Sequence, residues 1–342
     1  MERSLSLNIE GLQRASSERA SGIKLFAASL TVCVLLSAVL ASWAPLQISI
    51  VALFLFAGPH NWFELRYFIM RLPARLGRSR NFFLVAFAGI AVLTVSYLSM
   101  PALYYSGVWS GNNWLFALAG WNTLLLFWIA LLVWMRSRQR NRDWFWFAPV
   151  ALALSSLNWL APELFSLALV YLHPLVALWF LDRHLRRTRP EWLFVYHGSL
   201  ILIPLLVTAM VWQFAYSPSL ADDNGLAWRI TQHAGAGNLA GVSSHLLVAV
   251  HVFLEMLHYA VWIIALPLIG GRGAVWRLKT IPLFSHPHGF PRLVTLGLVS
   301  GLAVVVLLWS AFAIDYSLTR DIYFAVAIAH VLAEVPFLLR TL

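Results

Sequence analysis

Three glutamates, Glu64, Glu255 and Glu334, lie deep inside long apolar stretches, and each follows a histidine by four residues: His60, His251 and His330. With 11 histidines in 342 residues, all three would find one at that spacing by chance in only about 3 of 100,000 trials. Four residues is one helical turn, so each pair shares a helix face. Ionisable side chains in a bilayer core are costly, face a bundle interior and mark function, so the pairs read as one buried polar site. Imidazole and carboxylate donors without thiolate suit a first-row transition metal (Fe, Zn, Cu or Mn), most simply iron, as one or two ions. Helical bundles build such sites from facing side chains. Each glutamate can ligate directly or hold the second ring nitrogen of a ligand histidine.

The elements that must position these residues follow from composition. A chain that is 61% hydrophobic and 11% charged, with a mean hydropathy of +0.76, is an all-α polytopic membrane protein in the lipid bilayer. At roughly 20 apolar residues per crossing, ten spans are expected, near Leu25–Trp43, Gln47–Met70, Asn81–Met100, Leu115–Met135, Trp144–Ala161, Leu164–Leu181, Trp192–Trp212, Ser244–Ile269, Val294–Ile314 and Ile322–Leu339. Residues 1–24 form a cytoplasmic N-terminal segment ahead of a retained first span, and residues 25–342 form one transmembrane domain. Lys and Arg number 24 against 14 Asp and Glu. The arginines gather in alternate connections, Arg71–Arg80, Arg136–Arg142, Arg183–Arg189 and Arg272–Arg292, with Arg340 at the end. That is the positive-inside pattern, which places both termini in the cytoplasm and argues against a nucleic-acid partner. The single cysteine, Cys33, excludes an intrachain disulfide and a cysteine-based metal site.

Depth along the helices gives a second criterion, because residues equally far from the cytoplasmic ends lie at similar levels. His60 stands eleven residues before Arg71, His173 ten before Arg183, His330 ten before Arg340 and His258 fourteen before Arg272. At 1.5 Å per residue these four fall within about 6 Å of rise. His251, Glu255 and His258 make an i, i+4, i+7 stripe on one face. His197, eight residues past Arg189, can join from the cytoplasmic side, so that five helices offer ligands to a shared centre. Gly58 and Pro59 directly precede His60, and Pro174 follows His173, which breaks the helices beside the candidate ligands. His233 and His245 are expected near the outer surface, and His184 in a basic loop is expected to be solvated.

Gly58-Pro59-His60-Asn61-Trp62-Phe63-Glu64 resembles the early Pro-His-Gly-x-x-Asp stretch of the bacterial Brp/Blh-type β-carotene 15,15′-dioxygenases, integral membrane enzymes that hold iron with histidines. Ala329-His330-Val331-Leu332-Ala333-Glu334 is similar to that family's closing Pro-His-x-x-x-x-Asp helix, and His258-Tyr259-Ala260-Val261-Trp262 resembles the end of its His-x-x-x-His-Phe region. His173 corresponds to a mid-chain histidine on a span. The resemblance covers four short islands in the same order. It departs in having Glu for Asp at both ends, Asn61 for Gly, and His251, Glu255 and His258 in place of the paired histidines. What it implies is His60, His173, His258 and His330 as direct iron ligands, with Glu64, His197, His251, Glu255 and Glu334 as their supports or additional ligands. The implied reaction is oxygenation of an apolar, membrane-dissolved substrate such as a carotenoid, isoprenoid or acyl lipid, in a bacterial inner membrane. Two other classes fit the same residues: a proton-coupled transporter using the His-Glu pairs as relays, and a haem-binding membrane subunit with axial histidines.

Overall fold

The computed structural model describes the backbone of residues 2–107, 111–220, 225–270 and 276–341, with side chains from residue 21 onward except those of residues 111 and 112. Among them the structure is all helical: α1 (Glu2–Trp43), α2 (Pro45–Arg71), α3 (Arg80–Tyr105), α4 (Gly111–Arg140), α5 (Phe147–Leu160), α6 (Pro162–Thr188), α7 (Leu193–Leu200), α8 (Leu202–Phe214), α9 (Leu226–His233), α10 (Ser244–Ala260), α11 (Leu266–Gly270), α12 (Pro282–Ser285), α13 (Pro291–Ile314) and α14 (Tyr316–Thr341). Helix predominates because a backbone group that meets neither water nor a partner in hydrocarbon costs several kcal/mol, and a helix satisfies its own. Among the described residues nine helices are long and apolar enough to cross a membrane, with α7 and α8 together forming one of them.

The tenth expected span, Trp144–Ala161, is shorter than anticipated. Its helix, α5, has 14 residues, about 21 Å of rise against the ~30 Å of a hydrocarbon core. Trp144, Phe145 and Trp146 are spent on the entry turn, and Pro162 starts a new helix immediately after Ala161. The chain nevertheless returns, because the basic connections meet at one end of the bundle. There Arg71 Nη2 lies 2.8 Å from His184 Nδ1, Arg340 Nη1 donates to Arg71 O at 2.7 Å, and Arg136 reaches the carbonyls of Leu339 and Arg340. His184 is thus half-buried and held by Arg71 rather than solvated. Phe26 near the start of the first span stacks on Trp192 at this same end, so the first span begins beside the basic loops. Arg272, the reference for the depth of His258, lies outside the described residues. At the opposite end Arg229 pairs with Asp321, and Asp315 caps α14 by accepting the Leu318 N–H at 3.0 Å.

The span containing α10 is the hub. It packs against α1, α2, α6 and α8, and 67% of its most apolar window is buried, against 44% or less for every other span. A helix covered on all sides is the one place in a bundle where several neighbours can direct side chains at it from different directions. Close crossings depend on small residues. A Cβ at Gly58 on α2 would stand 3.3 Å from the Val305 Cα of α13, so glycine there permits backbone approach. Gly89 on α3 is tighter: an added Cβ would fall inside the Trp128 indole of α4, whose Nε1 donates to Val85 O at 3.2 Å. Gly89→Ala is expected to destabilise the protein by about 1–3 kcal/mol through overpacking, read as a lower thermal midpoint in detergent. Gly120→Ala, where a Cβ meets nothing within 4 Å, is the neutral control. An equal melt for both variants would show that α3 and α4 do not pack as described.

Candidate metal centre

Four helices deliver six side chains to one place inside the bundle. His60 and Glu64 come from α2, His173 from α6, His258 from α10, and His330 and Glu334 from α14. Ring centroids lie 5.2 Å apart for His60 and His258, 5.5 Å for His60 and His330, 4.6 Å for His173 and His258 and 5.1 Å for His173 and His330. Single donor atoms of His60, Glu64, His258 and His330 all fall within 4.8 Å of one another, and so do those of His173, His258 and Glu334. His60, Glu64, His258 and Glu334 are each 2% exposed or less. The shared level expected from their distances to the basic loops is therefore realised, and the helices are rotated so that all six groups face inward.

Local structure explains the aim of each ring. Pro59 has no N–H, which removes a helical bond to the Leu55 carbonyl one turn earlier. His60 Nδ1 lies 3.0 Å from Phe56 O. A carbonyl only accepts, so Nδ1 carries the proton and Nε2 keeps its lone pair. His173 Nδ1 lies 3.0 Å from Glu334 Oε2, a carboxylate-imidazole contact of the kind that orients metal-ligating rings. That leaves its Nε2 facing His330 Nε2 at 3.3 Å. Pro174 and Pro336 lie inside α6 and α14 beside these residues, where each removes one helical hydrogen bond and the helix nevertheless runs on rather than breaking as expected after His173. Immediately after α10 the helix widens into a π turn over Val261–Ala265, a distortion frequent at functional sites.

The donors leave one another largely unpaired. Both carboxylate oxygens of Glu64, both ring nitrogens of His258, Nδ1 of His330 and Oε1 of Glu334 are buried without a protein hydrogen-bond partner. Buried polar groups are normally paired, and leaving one unpaired costs about 1–3 kcal/mol. Six such atoms on four neighbouring residues leave polar capacity that protein groups do not fill. Imidazole and carboxylate, the donor types grouped here, are a set that suits iron, zinc, copper or manganese.

The other expected participants stand elsewhere. His197 does not reach the centre: its side chain is 48% exposed and binds Asp182 at 2.8 Å, because α7 runs along the end of α6, where Asp182 also pairs with Arg186. His251 and Glu255 do share a face with His258 but turn to different neighbours. His251 packs edge-on to His233 at 5.1 Å and Tyr171 at 5.8 Å. Glu255 accepts a 2.6 Å hydrogen bond from the Tyr259 hydroxyl. The cause is rise: seven residues along a helix separate His251 from His258 by about 10 Å. They form a second polar tier, joined to the first where the Tyr259 ring lies 4.6 Å from that of His60. His233 stacks on Phe324 at 4.1 Å and belongs to this tier, whereas His245 stacks on Phe214 at 4.5 Å; neither simply faces headgroups. Sequence reasoning passed over Tyr259 as a partner, although it follows Glu255 by the same four-residue spacing that identified the His-Glu pairs. Asn61, whose Nδ2 lies 3.4 Å from the Tyr323 hydroxyl, carried no such signal.

Compared with family models, with curated proteins and with solved structures, the chain matches none.

Proposed function

We propose that this protein is a membrane-embedded, metal-dependent oxidoreductase, most simply an iron oxygenase, that acts on an apolar substrate dissolved in the bilayer. The observation that carries the reading is the convergence of four histidines and two glutamates from four helices, with six of their donor atoms buried and unpartnered. His60, His173, His258 and His330 would hold the metal, and Glu64 and Glu334 would ligate it or orient its imidazoles. Iron in a nitrogen and oxygen donor set supplies dioxygen activation, which is the chemistry that the resemblance to the Brp/Blh-type dioxygenases implies. The chain's own contribution is orientation and shielding from water: Phe56 O and Glu334 fix the ring tautomers of His60 and His173, and burial covers His60, Glu64, His258 and Glu334.

A lateral route from the bilayer would suit such a substrate. A groove of about 470 Å³ between α4 and α5, lined by none of the six site residues, suits a lipid acyl chain.

Elemental analysis of the protein purified in detergent tests the reading. Iron is expected in the wild type and should fall in both His60→Ala and His330→Ala. Oxygen uptake is expected when a carotenoid, isoprenoid or acyl lipid is added to the wild type alone. Purification with no stoichiometric metal, with metal restored by none of the first-row ions, would overturn the proposal, and a Soret absorption band would assign the histidines to haem instead.

A further inference from the structure

We propose that the centre holds two metal ions with His258 shared between them, an inference that rests on the metal reading above. The six donors do not form one set. They divide into His60, Glu64, His258 and His330 on one side and His173, His258 and Glu334 on the other, with only His258 common to both. A single first-row ion with four imidazoles and two carboxylates around it would bring all six within one sphere. Here the donors make two sets, each with one carboxylate to balance a divalent charge, that share His258 and also meet where His173 Nε2 lies 3.3 Å from His330 Nε2.

His258 has the chemistry to join them. Imidazole is a rigid ring with two donor nitrogens pointing in different directions, and in His258 both are buried and neither makes a well-aligned hydrogen bond, the Pro174 carbonyl being the backbone oxygen beside the ring. In His60 and His173, by contrast, Nδ1 is already occupied by Phe56 O and by Glu334, so each of those rings has one nitrogen to give. His258 is also the residue supplied by the central span, 67% of whose most apolar window is buried, with α2 and α14 bringing one set of donors and α6 and α14 the other. It therefore binds one ion through each nitrogen, its single N–H proton passing to solvent as the second ion enters. Paired metal sites assembled from glutamate and histidine on facing helices are a known use of helical bundles.

The test is a cobalt(II) titration of the full-length, chelator-stripped protein in detergent, followed by visible absorption and by elemental analysis after desalting. The wild type should saturate at two equivalents, and Glu64→Gln and Glu334→Gln should each saturate at one. Should these variants fail to fold, the wild type alone decides: its cobalt electron paramagnetic resonance signal should grow to one equivalent and then weaken at two, as exchange through the shared ring couples the ions. Saturation at one equivalent, lost in both variants, would overturn the two-ion centre while leaving a metal enzyme in place. A second equivalent that survives in both variants, or two signals that simply add, would mark the second ion as adventitious and overturn the sharing. Failure to bind cobalt, zinc or iron at all would overturn the metal reading itself.

Discussion

His258→Ala is expected to leave the protein folded and without bound metal. The residue is the one member common to both sets of converging donors, so its loss empties the centre where loss of another ligand thins it. Outer partners of metal ligands are typically worth 10–100-fold in affinity, and a shared ligand should therefore cost more than about a hundredfold. The fold should survive, because neither ring nitrogen of His258 makes a well-aligned hydrogen bond; its contribution in the metal-free state is the packing of one ring among His60, His173 and Trp262. His197→Ala is the matched control, since that side chain is half exposed and bound to Asp182, and it should retain the wild-type metal content. Elemental analysis beside thermal melts reads both variants. A His258→Ala protein with undiminished iron would remove the residue from the centre.

The second large effect has opposite signs with and without metal. Glu64 is 1% exposed, and neither of its carboxyl oxygens has a protein partner. A buried polar group in that condition costs about 1–3 kcal/mol, and replacing buried ionic groups by apolar ones of similar volume often stabilises a protein. Glu64→Met should accordingly raise the stability of the metal-free protein by about 1–3 kcal/mol, while abolishing most of the stabilisation that metal confers on the wild type by binding only the folded state. Thermal unfolding with and without chelator would display both halves. If the metal-free variant melts below the metal-free wild type, Glu64 belongs to a satisfied structural network and the ligand role fails.

The His60, Glu64 and His330, Glu334 pairs were readable from spacing alone, because a turn of helix places i and i+4 together whatever surrounds the helix. The third pair shows where that inference stops. His251 and Glu255 have the same spacing and are also buried, yet they serve a different tier, since spacing along one helix says nothing about which neighbour faces it at a given height. Likewise, distance from the basic loops correctly placed His60, His173, His258 and His330 at one level, but it also admitted His197, whose helix lies along the end of α6 rather than over the centre. The hydrogen bond between His173 and Glu334 joins residues 161 apart in sequence and left no trace in local pattern. The short α5 was missed for a related reason: apolar composition continues through Trp144–Ala161, and only the turn at its start and the proline helix after it shorten the segment.

Sequence by itself determined the membrane-spanning, all-helical class, the direction of the chain through alternating basic connections, and the four imidazoles and two carboxylates that end at one depth. These are properties of composition and helical period, and both are local. Tertiary structure alone decided the rotation of each helix about its axis, the choice of α10 as the enclosed helix, the separation of donors into two sets and the placing of Tyr259 between the tiers. Those depend on how side chains from distant segments fit together, as Gly58 against Val305 and Gly89 against Trp128 illustrate, and interlocking of that kind has no period along the chain.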